Sequence, residues 1–329
     1  MMKSVLLGDP NFLNKIYTAA HRERIATQTE LLPEIIAPSS LATSLSPIAD
    51  ADMLFSTWGM PLWTSEQLEE LPRLKVVFYA AGSVQGFARP LLDRGVRVVS
   101  GWRANAIPVA EFVLSQILLA NKGYFRNIRE HRGGATFQTA YRGAGNYDAT
   151  VALLGAGAIT RMLIGLLKPF RLRVLVYDPY ISAEDAAWLG VECVSLETAF
   201  ARADVVSNHL PDKDETAGLL RADLFNRLRL GATFINTGRG RTVNEAELEG
   251  TMRSRADLTA LLDVTHPEPT SEDAPLLKLG NVLVSTHIAG SIGNEIQRLA
   301  DYCVEEMERY VRSERFQHEV TMEMLDHLA

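Results

Sequence analysis

The stretch Thr150-Val151-Ala152-Leu153-Leu154-Gly155-Ala156-Gly157-Ala158-Ile159-Thr160 changes its period in the middle. Val151 to Leu154 form a short apolar run, as a strand buried on both faces requires. Two glycines follow, and a helical pattern then continues to Leu167. A strand, a tight turn and a helix explain this run better than a membrane span, given Gly155, Gly157 and Arg161 within it. The parts suit a dinucleotide. Gly155 permits the turn, Gly157 lets backbone approach a pyrophosphate, and the N–H groups of Ala158 and Ile159 open the helix toward phosphate oxygens. A second strand candidate ends at Asp178, 23 positions after Gly155, where a carboxylate accepts hydrogen bonds from ribose hydroxyls. That carboxylate repels a 2′-phosphate, and Pro179-Tyr180 brings no arginine, so NAD is the expected cofactor rather than NADP. Thr160 stands where glycine or alanine is usual, and its branched side chain is expected to shift the helix slightly.

Working outward, further short apolar runs at 204–207, 233–236, 258–263 and 282–285 alternate with helical or polar segments. Before residue 105 a similar series occurs, at 5–7, 53–55, 76–79 and 96–99, with helical stretches at 65–71 and 87–93. This alternation predicts an α/β chain of two doubly wound parallel-sheet domains. Between the series, Pro108 suits the first turn of a long helix, with an apolar stripe through Val109, Phe112, Val113, Ile117 and Ala120. The pattern decays near residues 126–134, and 133–148 reads as an arm or loop. A last helix at about 294–311 is expected to return to the first domain. The boundaries are then 1–104 plus 292–329 for one domain and 105–291 for the dinucleotide-binding domain.

Three segments follow predicted strands of the second series: Asn236-Thr237-Gly238-Arg239-Gly240, Asp263-Val264-Thr265-His266-Pro267-Glu268-Pro269, and Ser285-Thr286-His287-Ile288-Ala289-Gly290-Ser291. Open α/β sheets bind ligands at the carboxyl ends of their strands, so Arg239, Glu268 and His287 can share one cleft. Oxidising a hydroxyl while hydride leaves needs a base, and the reverse reduction needs an acid. Histidine serves both near neutrality. A neighbouring carboxylate orients the ring and stabilises the imidazolium, and arginine offers a planar fork to a substrate carboxylate. Singly, each has an ordinary reading: a surface arginine, a loop acid, a core histidine. Their order behind a dinucleotide loop favours the catalytic one.

With these motifs the chain resembles the D-isomer-specific 2-hydroxyacid dehydrogenase family, which includes glyoxylate and hydroxypyruvate reductases, phosphoglycerate dehydrogenases and formate dehydrogenases. The resemblance covers nearly the whole chain. It rests on Gly155-Ala156-Gly157-Ala158-Ile159, Asp178-Pro179-Tyr180, His209-Leu210-Pro211, Asn236-Thr237-Gly238-Arg239-Gly240, Asp263-Val264 with Glu268-Pro269, and His287-Ile288-Ala289-Gly290. It implies a flavodoxin-like substrate domain and a Rossmann-type NAD-binding domain. It implies that Arg239 binds substrate, Glu268 supports the histidine, and His287 is the acid–base. Asp263 is implied to contact the nicotinamide carboxamide. His209, Leu210, Pro211, Thr237, Gly238 and Gly290 are implied to line the cofactor. Tyr79-Ala80-Ala81-Gly82-Ser83 matches the family's carboxylate-binding loop, so Ala81 and Gly82 are implied substrate contacts. Where the family often has Gly-Val-Asp, this chain has Val84-Gln85-Gly86, which leaves the substrate-side wall open. Trp58 and Trp63 flank Gly59-Met60-Pro61, with core packing as their expected role and a substrate wall as the other.

The net charge of −7 argues against a general nucleic-acid or anionic-membrane surface. The two cysteines, Cys193 and Cys303, have no metal-ligand or disulfide spacing and read as core residues of a cytoplasmic protein. No metal is expected. The expected function is hydride transfer between NAD(H) and a small 2-hydroxy or 2-oxo acid, as a 2-oxo acid reductase of glyoxylate or hydroxypyruvate type and a homodimer. A non-catalytic NAD-sensing protein of the same fold is the alternative. An S-adenosylmethionine methyltransferase shares the glycine loop but leaves Arg239, Glu268 and His287 unexplained.

Overall fold

The computed structural model describes residues 1–42 and 44–327 and divides into two compact units, Met1–Ala106 with Ser291–Ala329, and Ile107–Gly290. In the first unit, β1 (Lys3–Leu7), β2 (Glu30–Ile36), β3 (Met53–Ser56), β4 (Val76–Tyr79) and β5 (Arg97–Ser100) form a parallel sheet in the order β5-β4-β3-β1-β2. The two-residue strand Glu319–Val320 adds antiparallel to β5. The central strands β3 and β4 are buried at every position because helices cover both faces. One face packs Leu54, Val77 and Val98 with Leu68, Leu91 and Trp63. The other packs Phe55, Phe78 and Val99 with Ile16, Leu299, Cys303 and Met307.

In the second unit, β6 (Tyr147–Leu154), β7 (Arg171–Tyr177), β8 (Glu192–Cys193), β9 (Val205–Asn208), β10 (Thr233–Asn236), β11 (Thr259–Leu262) and β12 (Val282–Val284) are ordered β12-β11-β10-β9-β6-β7-β8. All their pairings are parallel. The order reverses between β6 and β9. That is the switch point at which doubly wound sheets open a crevice. The first sheet is flavodoxin-like and the second Rossmann-type.

Several local expectations differ from the structure. Pro108 lies well inside the helix Trp102–Asn121 rather than in its first turn. Burial of Ala104, Ala106, Val109 and Ala110 around the proline offsets the one backbone bond it removes. This helix is long and apolar enough to cross a membrane by length and composition, and half of it is buried in the protein. Its Val109, Val113, Ile117 and Ala120 pack with Val151, Leu153 and Ile235 of the second sheet. The decay near 126–134 is a second helix, Tyr124–Arg132, set off by Gly123 at φ +73°. Cys193 is exposed on the edge strand β8, not in the core, whereas Cys303 is buried.

Candidate active site

Parallel strands put their carboxyl ends on one edge, so β6, β7, β9, β10, β11 and β12 present their following loops side by side. Gly155 makes its turn at φ +91°, and a Cβ there would sit 2.8 Å from the His209 carbonyl oxygen. Only glycine allows both the conformation and this approach of the β6 and β9 loops. Gly157 caps the helix Ala158–Leu167 with open space where a Cβ would be. No acceptor within the protein is found for the N–H groups of Ala158 and Ile159 among the described residues. Asp178 lies half-buried past β7. Its carboxylate accepts from the N–H of Ala156 at 2.7 Å and of Tyr180 at 2.7 Å. It therefore shapes the glycine loop, while each oxygen keeps a lone pair for a ribose hydroxyl. Thr160 is fully buried at the helix start, and its hydroxyl has no partner.

Past β9, Leu210 is buried, with Pro211 beside it. The Nε2 of His209 shares a hydrogen with Ser207 Oγ at 2.9 Å, and its Nδ1 is buried without a partner. Burial lowers the imidazole pKa to about 4, so the ring is neutral near neutrality. Past β10, Thr237 has a buried hydroxyl without a partner, and Gly238 approaches the Asn208 carbonyl where a Cβ would be at 3.2 Å. Arg239 donates from Nη1 to the Gly238 carbonyl at 2.8 Å, which anchors one arm of the guanidinium.

A buried amide network that the sequence did not single out holds these loops. Asn208 donates to Asn236 Oδ1 at 3.0 Å and to Thr242 Oγ1 at 2.8 Å, and its Oδ1 accepts from the N–H of Leu210. Asn236 and Thr242 both donate to the Arg239 carbonyl. The available signal was an asparagine ending each of two short, buried strands. Gly240 then abuts the next loop. A Cβ there would lie 2.0 Å from the Thr265 carbonyl carbon.

Past β11 and β12 stand the remaining residues. Glu268 Oε1 meets His287 Nδ1 at 2.7 Å, with both side chains about half exposed. The peptide bonds preceding Pro267 and Pro269 are cis. His287 adopts φ +58°, a left-handed conformation that costs a non-glycine residue about 1–2 kcal/mol. What holds it there is Asp263. The Asp263 carbonyl accepts from the His287 N–H at 3.0 Å. Its buried carboxylate accepts from Ser285 Oγ at 2.6 Å and from the N–H groups of Ile288 and Ala289 at 2.9 Å each. Asp263 thus organises the histidine loop, a role its sequence reading as a cofactor contact did not include. Gly290 follows that loop, half-buried.

In the first unit, Ala81 and Gly82 follow β4. Ser100 Oγ reaches the carbonyls of Ala81 at 3.0 Å and Gly82 at 2.7 Å, which draws those oxygens back. No acceptor is found for the N–H groups of Ala81, Gly82 and Ser83 among the described residues. Asn105 supports the loop, packing near Gly82 and accepting from the Ser291 N–H at 2.9 Å.

The second unit fits a nicotinamide dinucleotide. Gly157 leaves open space at a helix N-terminus, Asp178 presents a half-buried carboxylate beside the glycine loop, and His209 and Thr237 leave buried polar atoms unpartnered on the same edge. Among the described residues no group of three or more His, Cys, Asp or Glu could hold a metal.

Residues 114–289 match the family described as D-isomer specific 2-hydroxyacid dehydrogenase, NAD binding domain. The chain is 31% identical over 218 residues to the (S)-sulfolactate dehydrogenase of Chromohalobacter salexigens, which covers 66% of this chain and 71% of that one. It is 31% identical over 248 residues to the D-3-phosphoglycerate dehydrogenase of Mycobacterium leprae, covering 75% of this chain. The match spans 47% of that longer protein, about half its length. The fold is that of the D-mandelate dehydrogenase of Rhodotorula graminis, with a TM-score of 0.80, 21% identity and 97% of both chains covered. An α/β oxidoreductase fold and an NAD-binding unit are thereby defined. The chain belongs to the D-isomer specific 2-hydroxyacid dehydrogenase family.

Proposed function

We propose that this chain is an active NAD-dependent dehydrogenase that reduces a small 2-oxo acid to the D-2-hydroxy acid, with glyoxylate and hydroxypyruvate among its substrates. The observation that carries the reading is the 2.7 Å contact between Glu268 and His287 on the same sheet edge as the glycine loop. With Nδ1 engaged by Glu268, Nε2 is the ring nitrogen left to give a proton to the carbonyl oxygen. The Gly155–Gly157 loop, Asp178 and the loops of His209 and Thr237 would hold NADH, which would supply the hydride for C2 of the acid. Electrons and protons then balance: C2 gains the hydride pair, its oxygen gains the proton from His287, and the neutral imidazole is reprotonated from solvent. Arg239 takes up a carboxylate oxygen or the polarised carbonyl with its free guanidinium arm. Ala81 and Gly82 offer N–H groups to the carboxylate. Reduction is the favoured direction because 2-oxo acid reduction by NADH is generally downhill.

The test is NADH oxidation across a panel of 2-oxo acids, with His287→Asn and Glu268→Gln alongside. Both variants are expected to bind NADH as the native protein does and to lose about 100-fold or more in kcat. Arg239→Lys is expected to raise KM steeply with NADH affinity unchanged. NADH binding without turnover of any acid overturns the reading and favours a non-catalytic NAD sensor. We place the protein in the cytoplasm as a homodimer. Exposed Tyr124, at the start of the helix Tyr124–Arg132, and exposed Phe137 on the arm support the dimer, which light scattering checks.

A further inference from the structure

The amino edge of the second sheet, opposite the glycine loop, carries a cavity of about 490 Å³. Small-molecule sites typically span roughly 300–1,000 Å³. Thr150 and Arg173, paired across β6 and β7, line it together with Asp148, Asp204, Arg202 and Arg229. All of these residues belong to the second unit. Thr150 stands four residues before Leu154, at the glycine loop. At about 3.3 Å per residue, the cavity is about 13 Å from that loop. A ligand held here is one in addition to the dinucleotide.

The acids of the cavity are already engaged. Asp204 accepts from the Thr150 N–H at 2.8 Å and from Arg229 Nη1 at 2.8 Å. Asp148 accepts at 3.0 Å from Nε of Arg171, which stands outside the lining. The arginines keep donors to spare. Glu192 takes the two terminal nitrogens of Arg202, and Arg229 is fixed to Asp204 through one nitrogen. Arg173 is exposed and makes no hydrogen bond or ion pair among the described residues.

A solvated arginine at a surface is ordinary. Here three guanidiniums surround one concavity against two engaged carboxylates, in a chain of net charge −7. Free arginines of like charge swing apart into water. Arg202 and Arg229 are kept at the wall by Glu192 and Asp204. Arg173 adds a complete planar fork. Several guanidinium N–H groups around one space suit a tetrahedral dianion, which accepts from more than one fork at once. A cation is repelled by Arg173. An apolar ligand would find little beyond the small side chains of Ala144, Ala149 and Ala201.

We propose that this cavity is a second ligand site and that it takes the phosphate group of a small molecule, with Arg173 as the principal contact and Arg202 and Arg229 beside it. The space is larger than a phosphate group alone, which leaves room for the body of a phosphate ester. The site is independent of which acid the protein reduces.

The experiment is isothermal titration calorimetry of the full chain with NADH saturating, so that the cofactor edge is filled. Salt is set at about 0.15 M, where exposed charges more than about 8 Å apart are screened. The probes are inorganic phosphate, glycerol 3-phosphate and glycerol. Glycerol 3-phosphate is expected to bind with a Kd of about 1 mM or tighter, and glycerol is expected not to bind. Equal affinity for inorganic phosphate identifies free phosphate as the ligand, and tighter binding of the ester identifies a phosphorylated metabolite. Both results support the proposal. Arg173→Ala is expected to weaken binding about ten-fold or more, and Arg173→Lys to recover only part of it, since the charge stays and the fork is lost. Tm and NADH affinity should be unchanged in both variants, because Arg173 holds no other described residue. No binding of either phosphate up to about 10 mM, native affinity in Arg173→Ala, or displacement of the phosphate by NADH each overturns the proposal.

Discussion

Gly240→Ala adds one methyl group where the backbone has no room. The new Cβ would lie 2.0 Å from the Thr265 carbonyl carbon, 2.1 Å from its oxygen and 2.6 Å from the His266 nitrogen. Ordinary van der Waals contact begins at 3.4 Å. All three neighbours are backbone atoms, so no side-chain rotation relieves the clash and the two loops must part by more than an ångström. One loop carries Arg239 immediately before the glycine. The other leads within three residues to Glu268, whose carboxylate orients His287. A misplacement of about 1 Å at a positioned group costs roughly 100-fold in rate, equivalent to about 2.7 kcal/mol in the barrier. Overpacking of this size costs about 1–3 kcal/mol in stability. The expected outcome is therefore a kcat/KM for NADH-dependent 2-oxo acid reduction lowered about 100-fold or more, with Tm lowered by a few degrees. NADH affinity by fluorescence titration should fall far less than kcat/KM, since the Gly155–Gly157 loop is untouched and only the Thr237–Gly238 side of the cofactor site is disturbed. Gly250→Ala is the control. That glycine is exposed in the helix Glu245–Ser254 with nothing within 4 Å of its Cβ position, so alanine should stabilise by about 0.5–1 kcal/mol and leave turnover alone. If Gly240→Ala keeps kcat/KM within about three-fold of native, the close packing of these loops does not position the site.

Gly157→Ala should behave in the opposite way. Its Cβ meets nothing within the protein, so thermal stability should hold, while NADH affinity should fall about ten-fold or more because the methyl occupies space the pyrophosphate needs. Native thermal stability with native NADH affinity would remove the glycine loop from cofactor binding. Asp178→Ala should weaken NADH more than NADPH, although both suffer from the lost Ala156 and Tyr180 contacts; equal native affinity for the two cofactors refutes the assignment. His209 predicts an acid sensitivity. Its native pKa of about 4 lies below the unfolded value near 6.5, so the unfolded chain binds the extra proton between them. Its contribution is fully present above about pH 6.5 and is lost as pH falls through 4, at most about 3 kcal/mol. Urea unfolding from pH 7.5 to 4.5 should show a shallower loss for His209→Gln, and parallel curves would refute the buried neutral ring.

The clearest strands in the sequence include those whose every side chain is buried, such as Val76–Tyr79 and Thr233–Asn236. Their β-branched and aromatic runs are bounded by turn residues, and local composition alone marks them. The strand Glu30–Ile36 was not legible because Pro33 and Glu34 interrupt it. It survives as the sheet edge, with its register against β1 shifting between Ser4 and Leu6, where a missing donor is tolerated. Glu192–Cys193 and Glu319–Val320 are two residues each and exist only by pairing with a formed neighbour. The residues of the proposed chemistry stand out as residue types, because Arg239, Glu268 and His287 each follow a strand candidate, and the structure adds the contact between the last two. What local sequence could not reveal is who holds them. Asn208, Thr242 and the left-handed turn at His287 become meaningful only after distant loops meet.

That division has a physical cause. Side chains proposed to react must reach a ligand, and Glu268 and His287 are about half exposed. An exposed pair is free to wander, since a surface contact of this kind is worth at most about 1 kcal/mol. The precision must come from beneath. Asp263 is buried and satisfies three donors of the histidine loop, so replacing its carboxylate by an amide would set a donor against a donor. The Asn208–Asn236–Thr242 network is buried as well and fixes the arginine loop through the Arg239 carbonyl. Gly240 locks the arginine loop to the Glu268 loop. Each of these residues is inert toward a 2-oxo acid, yet together they over-determine where Arg239, Glu268 and His287 stand. Buried polar groups are expensive unless fully satisfied, and their satisfaction here depends on all three loops being in place. The positive φ of His287 is sustained by the same contacts. The site is thus stable as a unit: loosening one buried acceptor should disturb the acid–base pair before it disturbs the sheet.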